Sequence, residues 1–246
     1  MMSVDLNCDL GEGFLNDELL YPYISSANIA CGYHAGDLDT ITKSIEHCLK
    51  HNVAIGAHPG FNDKPNFGRT EIQLSAERLQ DLVMHEILVV RFSAMKMGAK
   101  LHHVKLHGAM YNMAARDKAM ALTIADAIHR VDPNLIVYGL SGSYLISESK
   151  ALGLQTCSEV FADRTYQADG SLTARSQSNA LINSTEASIA QVLQMVQQQS
   201  VTSVDGSVIP LIAETICLHG DGKHAVTFAK QIHQTLKQHN IDIKAK

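Results

Sequence analysis

The stretch SVDLNCDLGEG, residues 3–13, alternates polar and apolar side chains and then ends in glycine and glutamate. Alternation with a period of two is typical of a β-strand, and it places Asp5, Asn7 and Asp9 on one face. A glycine-bounded strand with a polar face of this kind predicts the first strand of a sheet, with catalytic or binding residues at its carboxyl end.

Six further runs are short, rich in strand-forming positions and bounded by glycine or polar residues. They are residues 25–32, 53–58, 102–107, 135–140, 154–161 and 214–220. Apolar residues at helical spacing lie between them, so the chain contains about seven strand–helix units in series. Such units require parallel strands, either as a closed barrel or as a doubly wound open sheet.

The organisation of the chain favours one α/β domain over residues 1–246, because no proline- or serine-rich linker divides it. Residues 200–211 predict a hairpin that turns at Asp205-Gly206. Ser75 predicts a helix N-cap. The connections 59–74 and 162–183 are longer than is typical of strand–helix loops, which makes them candidate lids.

Composition excludes several classes of partner. The 246 residues carry a formal charge of -5, which gives no electrostatic footprint for nucleic acid. The longest apolar runs are too short to span a membrane, and the first residues lack the features of a signal peptide. The five cysteines are odd in number and form no CxxC pair, which favours buried thiols in a reducing cytoplasm.

Polar and ionisable residues follow nearly every predicted strand. In parallel α/β folds the carboxyl ends of the strands form one site, so residues distant in sequence are expected to converge there. The main candidates are Asp9, Glu12, His34, Asp37, His58, Arg69, Lys105, His107, Tyr111, Glu159, Arg164, Arg175, His219 and Asp221.

Two kinds of chemistry fit imidazoles beside carboxylates. One is general acid–base catalysis near neutral pH. The other is a divalent metal site that activates water, for which Asp9, His34 and His58 form a candidate ligand set. Lys105 and Arg164 would stabilise developing negative charge. His47 and His51 are four apart on a helix, but they lie off its apolar stripe and are expected on a solvated face.

Six motifs occur in an order that resembles the LamB/YcsF family, the A subunits of bacterial ATP-hydrolysing 5-oxoprolinases. They are DLNCDLGEG, ANIACGYHAGD, GAHPGFND, KLHGAMYN, EVFADRTY with DGSLTAR, and CLHGDG. The resemblance covers about residues 4–240. Leu106, Met110 and the pair Gly222-Lys223 depart from the family pattern without removing a polar candidate.

The resemblance implies a fold and a reaction. The fold is an irregular seven-stranded parallel β/α barrel, similar to polysaccharide-deacetylase barrels. The reaction is ATP-dependent opening of 5-oxo-L-proline to L-glutamate, with Mg²⁺-bound ATP and with B and C subunits as partners. No P-loop motif is present, because Cys217 and His224 occupy positions that such a loop reserves for other residues.

The resemblance also implies roles for individual residues. Catalytic roles are expected for Asp9, His34, Asp37, His58, Lys105, His107 and His219. Substrate or phosphate binding is expected for Asn7, Glu12, Asn28, Arg69, Tyr111, Glu159, Arg164, Arg175 and Asp221. Two alternatives remain open: a stand-alone metal-dependent hydrolase of the deacetylase kind, and a non-catalytic subunit that presents substrate or regulates.

Overall fold

Ten strands and eight α-helices alternate along the computed structural model, which describes residues 2–219 and 225–246. The strands are β1 (Met2–Leu10), β2 (Ser26–Ala30), β3 (Ala54–His58), β4 (His103–Lys105), β5 (Ile136–Leu140), β6 (Thr156–Phe161), β7 (Ser200–Thr202), β8 (Val208–Pro210), β9 (Thr215–His219) and β10 (Ile241–Ile243). The helices are α1 (Asp17–Leu20), α2 (Leu38–His51), α3 (Ala76–Lys96), α4 (Gly108–Arg116), α5 (Lys118–Val131), α6 (Tyr144–Ala151), α7 (Thr185–Gln198) and α8 (Ala225–Gln238).

Seven of these strands form a closed parallel barrel. Its order is β1-β2-β3-β4-β5-β6-β9, and β9 pairs back onto β1. The register sets Asp9 opposite Asn28 on one side and opposite the backbone of His219 on the other. The barrel prediction is therefore confirmed, and the open sheet is excluded.

Three short strands lie outside the ring. β10 pairs in parallel with the first residues of β1. β7 and β8 form the antiparallel hairpin predicted for residues 200–211. Its turn is held by Asp205, whose carboxylate accepts a hydrogen bond from the backbone N–H of Ser207 at 3.0 Å.

The helices cover the barrel with their apolar faces, as α2 shows. Asp37 caps its first turn, and Ile41, Ile45 and Cys48 are buried one to two turns apart. Burying each large apolar side chain contributes about 1.5–3 kcal/mol. The predicted cap at Ser75 is confirmed, because its side chain accepts from the backbone N–H of Arg78 at the start of α3.

Alternation along the strands divides the interior into two kinds of environment. Leu6 and Leu10 of β1 point outward into the apolar layer beneath the helices. Asp5, Asn7 and Asp9 take the opposite face and are also buried, so the barrel interior is polar. Within the described residues, no helix has the length and apolarity needed to cross a membrane.

Candidate active site

The carboxyl ends of the barrel strands bring most of the predicted residues to one place. Parallel strands end at the same rim, so the ends of β1, β2, β3, β4 and β6 and the turns that follow them meet. The side chains that gather there are Asp9, Glu12, His34, His58, Lys105, His107 and Glu159.

Lys105 is the centre of the charged half of the site. It is only 2% exposed, and its Nζ donates to Asp9 Oδ1 at 2.8 Å and to Glu159 Oε1 at 3.0 Å. Burial by itself lowers the pKa of Lys105, but the neighbouring acids outweigh burial and hold that pKa well above its usual value. The lysine is therefore a fixed cation between two carboxylates.

Two buried amides hold these carboxylates in place. Asn7 Nδ2 donates to Glu159 Oε1 at 2.9 Å, and Asn28 Nδ2 donates to Asp9 Oδ1 at 2.8 Å. Both amides are fully buried and do not line the cavity above. The hydrogen-bonding groups of Asn7 and Asn28 are engaged within the barrel, so this geometry favours a supporting role for them, and the expectation that they bind substrate stays a prediction.

The imidazoles of His58 and His107 have defined tautomers. His58 Nδ1 lies 2.8 Å from the carbonyl oxygen of Lys105, and His107 Nε2 lies 2.8 Å from that of Phe67. A carbonyl only accepts, so each of these ring nitrogens must be the donor. In the neutral rings, the remaining nitrogens carry lone pairs, and they face each other at 3.0 Å.

Glu12 meets both of these nitrogens and a third imidazole. Its Oε1 lies 3.3 Å from His107 Nδ1, 3.5 Å from His34 Nε2 and 3.8 Å from His58 Nε2. Burial alone raises the pKa of Glu12, but the facing imidazoles of His107 and His34 outweigh it and lower that pKa to about 2. Burial lowers the pKa of His34 to about 3, so this ring is neutral near pH 7.

His34 is positioned by stacking. Its ring lies parallel to that of His107, with 3.8 Å between centroids and 4° between planes. The turn at Gly68 makes this possible, because a Cβ there would lie 2.8 Å from His34 Cβ and 3.0 Å from the His107 ring. Gly68 also has φ +63, which an L side chain rarely adopts.

A cavity of about 580 Å³ opens above the site. Asp9, Glu12, Lys105 and His107 form part of its lining, together with Tyr111. The lining also contains four arginines, namely Arg69, Arg116, Arg164 and Arg175. A concave site of this size with convergent charged groups suits a small anionic substrate.

The connection from β6 to α7 forms one wall of this cavity. Arg164 Nη2 donates to the carbonyl of Thr173 at 2.6 Å, and Arg164 Nε donates to that of Ala180 at 3.4 Å. These bonds tie together a connection that lacks regular secondary structure over most of its length. Arg164 thus orders the wall, a role that the expectation of phosphate binding did not include.

The remaining predicted residues lie outside the cluster around Lys105 and Glu12. Asp37 is exposed, and its carboxylate accepts from the backbone N–H of Thr40 at 2.8 Å, so the expected catalytic role is corrected to that of a helix cap. Arg175 is exposed at the mouth of the cavity. The side chain of His219 and residue Asp221 fall outside the described residues.

Two buried ionisable residues were missed at the sequence level. His103 fills the barrel below the site, where Nε2 donates to Asn28 Oδ1 at 2.8 Å and the ring stacks on Tyr138. Its spacing of two from Lys105 on the same strand was the available signal. Glu86 lies on the apolar stripe of α3 and is fully buried, which periodicity alone could have indicated.

Comparison with known proteins places the chain in a family. Residues 4–246 match the model of the LamB/YcsF family. The A subunit of a 5-oxoprolinase from Shouchella clausii is 51% identical over 250 residues, covering 100% of this chain and 99% of that one.

Solved structures agree with this placement. The crystal structure of a lactam utilization protein from Thermus thermophilus is 35% identical, has a TM-score of 0.92, and covers 100% of both chains. A deacetylase solved with substrate has a TM-score of 0.51 at 13% identity, covering 98% of this chain and 87% of that one. That likeness shows the fold alone and confirms a barrel similar to those of deacetylases.

Proposed function

Because the chain belongs to the LamB/YcsF family, we propose that it is the A subunit of a 5-oxoprolinase, which opens 5-oxo-L-proline to L-glutamate with hydrolysis of ATP. The observation that carries this proposal is the 51% identity, over essentially the whole of both chains, to a protein of that name. The cavity agrees, since Arg69 and Arg175 in its lining suit the carboxylate of a lactam acid, whereas Arg116 is paired with Glu71.

The chemistry explains why ATP is required. A five-membered lactam is an unactivated amide and a poor electrophile. Transfer of the γ-phosphoryl group of ATP to the lactam oxygen releases ADP and makes the ring carbon electrophilic. One water then adds to that carbon, the C–N bond breaks and the nitrogen takes a proton, which leaves an acyl phosphate. A second water hydrolyses the acyl phosphate to glutamate and phosphate.

Residues of this chain are assigned to the water-addition step. Asp9 is the base, since it lines the cavity and its Oδ2 lies beside His58, 3.4 Å from Nε2. Lys105 pairs with Asp9 and supplies positive charge where the oxyanion develops. Arg69, at the rim, binds the substrate carboxylate or the phosphoryl group.

The proposal includes partners and a compartment. The relatives are named as one lettered component of 5-oxoprolinase, which implies a multi-subunit enzyme, and we assign B and C subunits as the partners needed for turnover. We also propose that ATP binds with Mg²⁺, and since this sequence has no P-loop, the nucleotide is bound either in another mode or with a contribution from the partners. All five cysteines are free and buried, which agrees with a cytoplasmic protein.

The test is glutamate formation from 5-oxoproline by the reconstituted three-subunit complex, with and without ATP. Turnover is expected only with ATP, and Asp9→Asn in this chain is expected to lower kcat by at least about a hundredfold. Asp37→Asn is the matched control, because asparagine also caps a helix and the side chain lies outside the site.

Each outcome decides between the candidate functions. No ATP-dependent glutamate formation in the complete complex overturns the proposal. Normal turnover with Asp9→Asn would assign this chain a presenting or regulatory role. Amide hydrolysis by the isolated chain without ATP would favour the deacetylase-like hydrolase.

A further inference from the structure

We propose that Glu12, His34, His58 and His107 bind one divalent cation of the Zn²⁺ or Co²⁺ class at the carboxyl end of the barrel. These four residues come from four separate strand-to-helix connections or strand ends. One ligand atom of each lies within 4.8 Å of the others. This set differs from the Asp9, His34 and His58 set expected from the sequence.

The tautomers of two rings carry the argument. His58 Nε2 and His107 Nδ1 are both acceptors in the neutral rings, because each ring gives its proton to a backbone carbonyl. They face each other at 3.0 Å, and both face Glu12 Oε1. With both rings neutral, three electron-rich atoms converge with no hydrogen between them, an arrangement that either a proton or a metal cation stabilises.

The same backbone bonds are a known sign of metal ligation. Histidines that bind a metal usually donate their second ring N–H to a backbone carbonyl or a carboxylate, which fixes the orientation of the ring. His58 does so to Lys105 and His107 does so to Phe67. These two hydrogen bonds form without a metal. They hold the rings in the orientation that a metal requires.

Buried atoms without hydrogen bonds point to the same place. Among the described residues, neither Glu12 Oε1 nor either ring nitrogen of His34 has a hydrogen-bond partner. Leaving a buried polar group unsatisfied costs roughly 1–3 kcal/mol, and a charged group costs more. A cation at this point would satisfy the Glu12 oxygen and one His34 nitrogen together.

The spacing fits one small ion. Ligands bound at about 2.0–2.2 Å in tetrahedral geometry lie roughly 3.3–3.6 Å from one another. The measured separations are 3.0 Å for His58 Nε2 to His107 Nδ1, 3.3 Å for Glu12 Oε1 to His107 Nδ1, 3.5 Å for Glu12 Oε1 to His34 Nε2 and 3.8 Å for Glu12 Oε1 to His58 Nε2, and every pair lies within 4.8 Å. Small shifts would bring the Glu12 oxygen and the His58 and His107 nitrogens to bonding distance, whereas the His34 ring, which is stacked parallel to that of His107, must turn out of the stack before Nε2 can point at the ion.

Asp9 is the weaker ligand for this cation. Its Oδ1 accepts from Lys105 at 2.8 Å and from Asn28 at 2.8 Å, so that oxygen is already satisfied by a cation and an amide. Glu12 has the opposite environment, with imidazole nitrogens on three sides of Oε1. Three imidazoles with one carboxylate select Zn²⁺ or Co²⁺ over Mg²⁺, which prefers oxygen ligands.

The probe is Co²⁺, titrated into the full-length chain after removal of metal with EDTA. We expect one equivalent to bind, with visible d–d absorption, and Zn²⁺ to displace it and raise the Tm. Glu12→Gln and, separately, His34→Asn are expected to weaken Co²⁺ binding by at least about tenfold while circular dichroism shows a folded chain.

The matched control is the double variant His47→Ala and His51→Ala. These two rings lie four residues apart on α2, are half-buried against Tyr21 and form the alternative imidazole pair outside the site. The control is expected to bind Co²⁺ as the unsubstituted chain does. The site is overturned if the folded chain binds no Co²⁺, if Glu12→Gln and His34→Asn both bind normally, or if only the control loses binding.

The cation shares the site of the proposed reaction but is tested apart from it. An absence of Co²⁺ binding with ATP-dependent turnover intact removes the cation and leaves the 5-oxoprolinase proposal standing. Binding without 5-oxoproline turnover leaves the cation site and removes that reaction.

Discussion

Lys105 Nζ lies 2.8 Å from Asp9 Oδ1 inside the barrel, where both residues are nearly inaccessible to solvent. A buried pair of this kind stabilises little against an apolar replacement, but loss of one member leaves an uncompensated charge. Lys105→Met would leave both Asp9 and Glu159 without their cation. We therefore expect it to lower the free energy of unfolding by about 3–5 kcal/mol, measured by urea denaturation.

The control for this variant is Lys118→Met. Lys118 Nζ lies 3.8 Å from Glu148 Oε1, and its side chain is 67% exposed. An exposed pair contributes about 0–1 kcal/mol, so the control should unfold close to the unsubstituted chain. Equal stability of the two variants would show that Lys105 is not the counter-ion on which the barrel depends.

The strand pattern carried the fold prediction because alternation and glycine boundaries are local properties of the chain. The run at residues 3–10 became β1 (Met2–Leu10), and Asp5, Asn7 and Asp9 share the buried polar face that alternation predicts. Closure into a barrel depends on the pairing of β9 with β1, which lies at the other end of the chain. The residues left that choice open, and only the family resemblance indicated it.

The site was harder to predict because alternation stops where a strand stops. Glu12 follows Gly11, whose φ of +73 turns the chain, so its contact with three histidines is a product of the turn. Asp37 follows a strand in the same way, yet it caps α2. His47 was expected on a solvated face, but it is stacked on Tyr21 with 5.1 Å between ring centroids.

Gly56 and His103 should be energetically coupled. A Cβ added at Gly56 would lie 2.1 Å from His103 Nε2, inside any permitted contact. Gly56→Ala is therefore expected to destabilise the chain by about 1–3 kcal/mol, because the ring cannot move away from Asn28 and Tyr138 without loss. In a His103→Ala background the same substitution should cost much less, a coupling of about 1 kcal/mol or more in a double-mutant cycle.

Gly139→Ala provides the comparison for this cycle. Gly139 is also a barrel-strand glycine, but a Cβ there would meet side chains of Leu145 and Ile146 at 3.3 Å. Gly139→Ala should lower the free energy of unfolding by the same amount with or without the His103 ring. If the effects of Gly56→Ala and His103→Ala on the free energy of unfolding are additive, a Cβ at position 56 does not meet the His103 ring.

Arg164→Met should loosen the wall of the cavity. The variant loses the hydrogen bonds to the carbonyls of Thr173 and Ala180 that hold the 162–184 connection together. We expect chymotrypsin to cut this connection several times faster, and KM for 5-oxoproline in the complex to rise several-fold. Arg175→Met, at the exposed mouth, should leave the rate of proteolysis unchanged. A rise in KM without faster cleavage would instead make Arg164 a direct substrate contact.

Glu86 should make stability fall as the pH rises. The side chain is fully buried, and its two carboxyl oxygens share the backbone N–H of Gly60 at 3.2 and 3.3 Å. Burial raises the pKa of Glu86 well above its usual value, and the bond from Gly60 offsets this only in part. The folded chain therefore binds a proton that the unfolded chain has lost, over the whole range between the two pKa values.

The sign of the pH effect follows from that proton. The stabilisation is complete below about pH 4.3, the unfolded value for a glutamate, and it is lost progressively as the pH rises toward the raised pKa of the folded state.

Glu86→Gln keeps the shape of the side chain and removes its ionisation. We expect the stability of the variant relative to the parent chain to grow by more than about 1 kcal/mol between pH 5 and pH 8, as a tenfold change in protonation corresponds to about 1.4 kcal/mol. Urea unfolding of both proteins across pH 5–8 measures this difference, with Glu77→Gln at the exposed start of α3 as the control. A difference that does not change with pH would mean that Glu86 stays ionised in the folded chain.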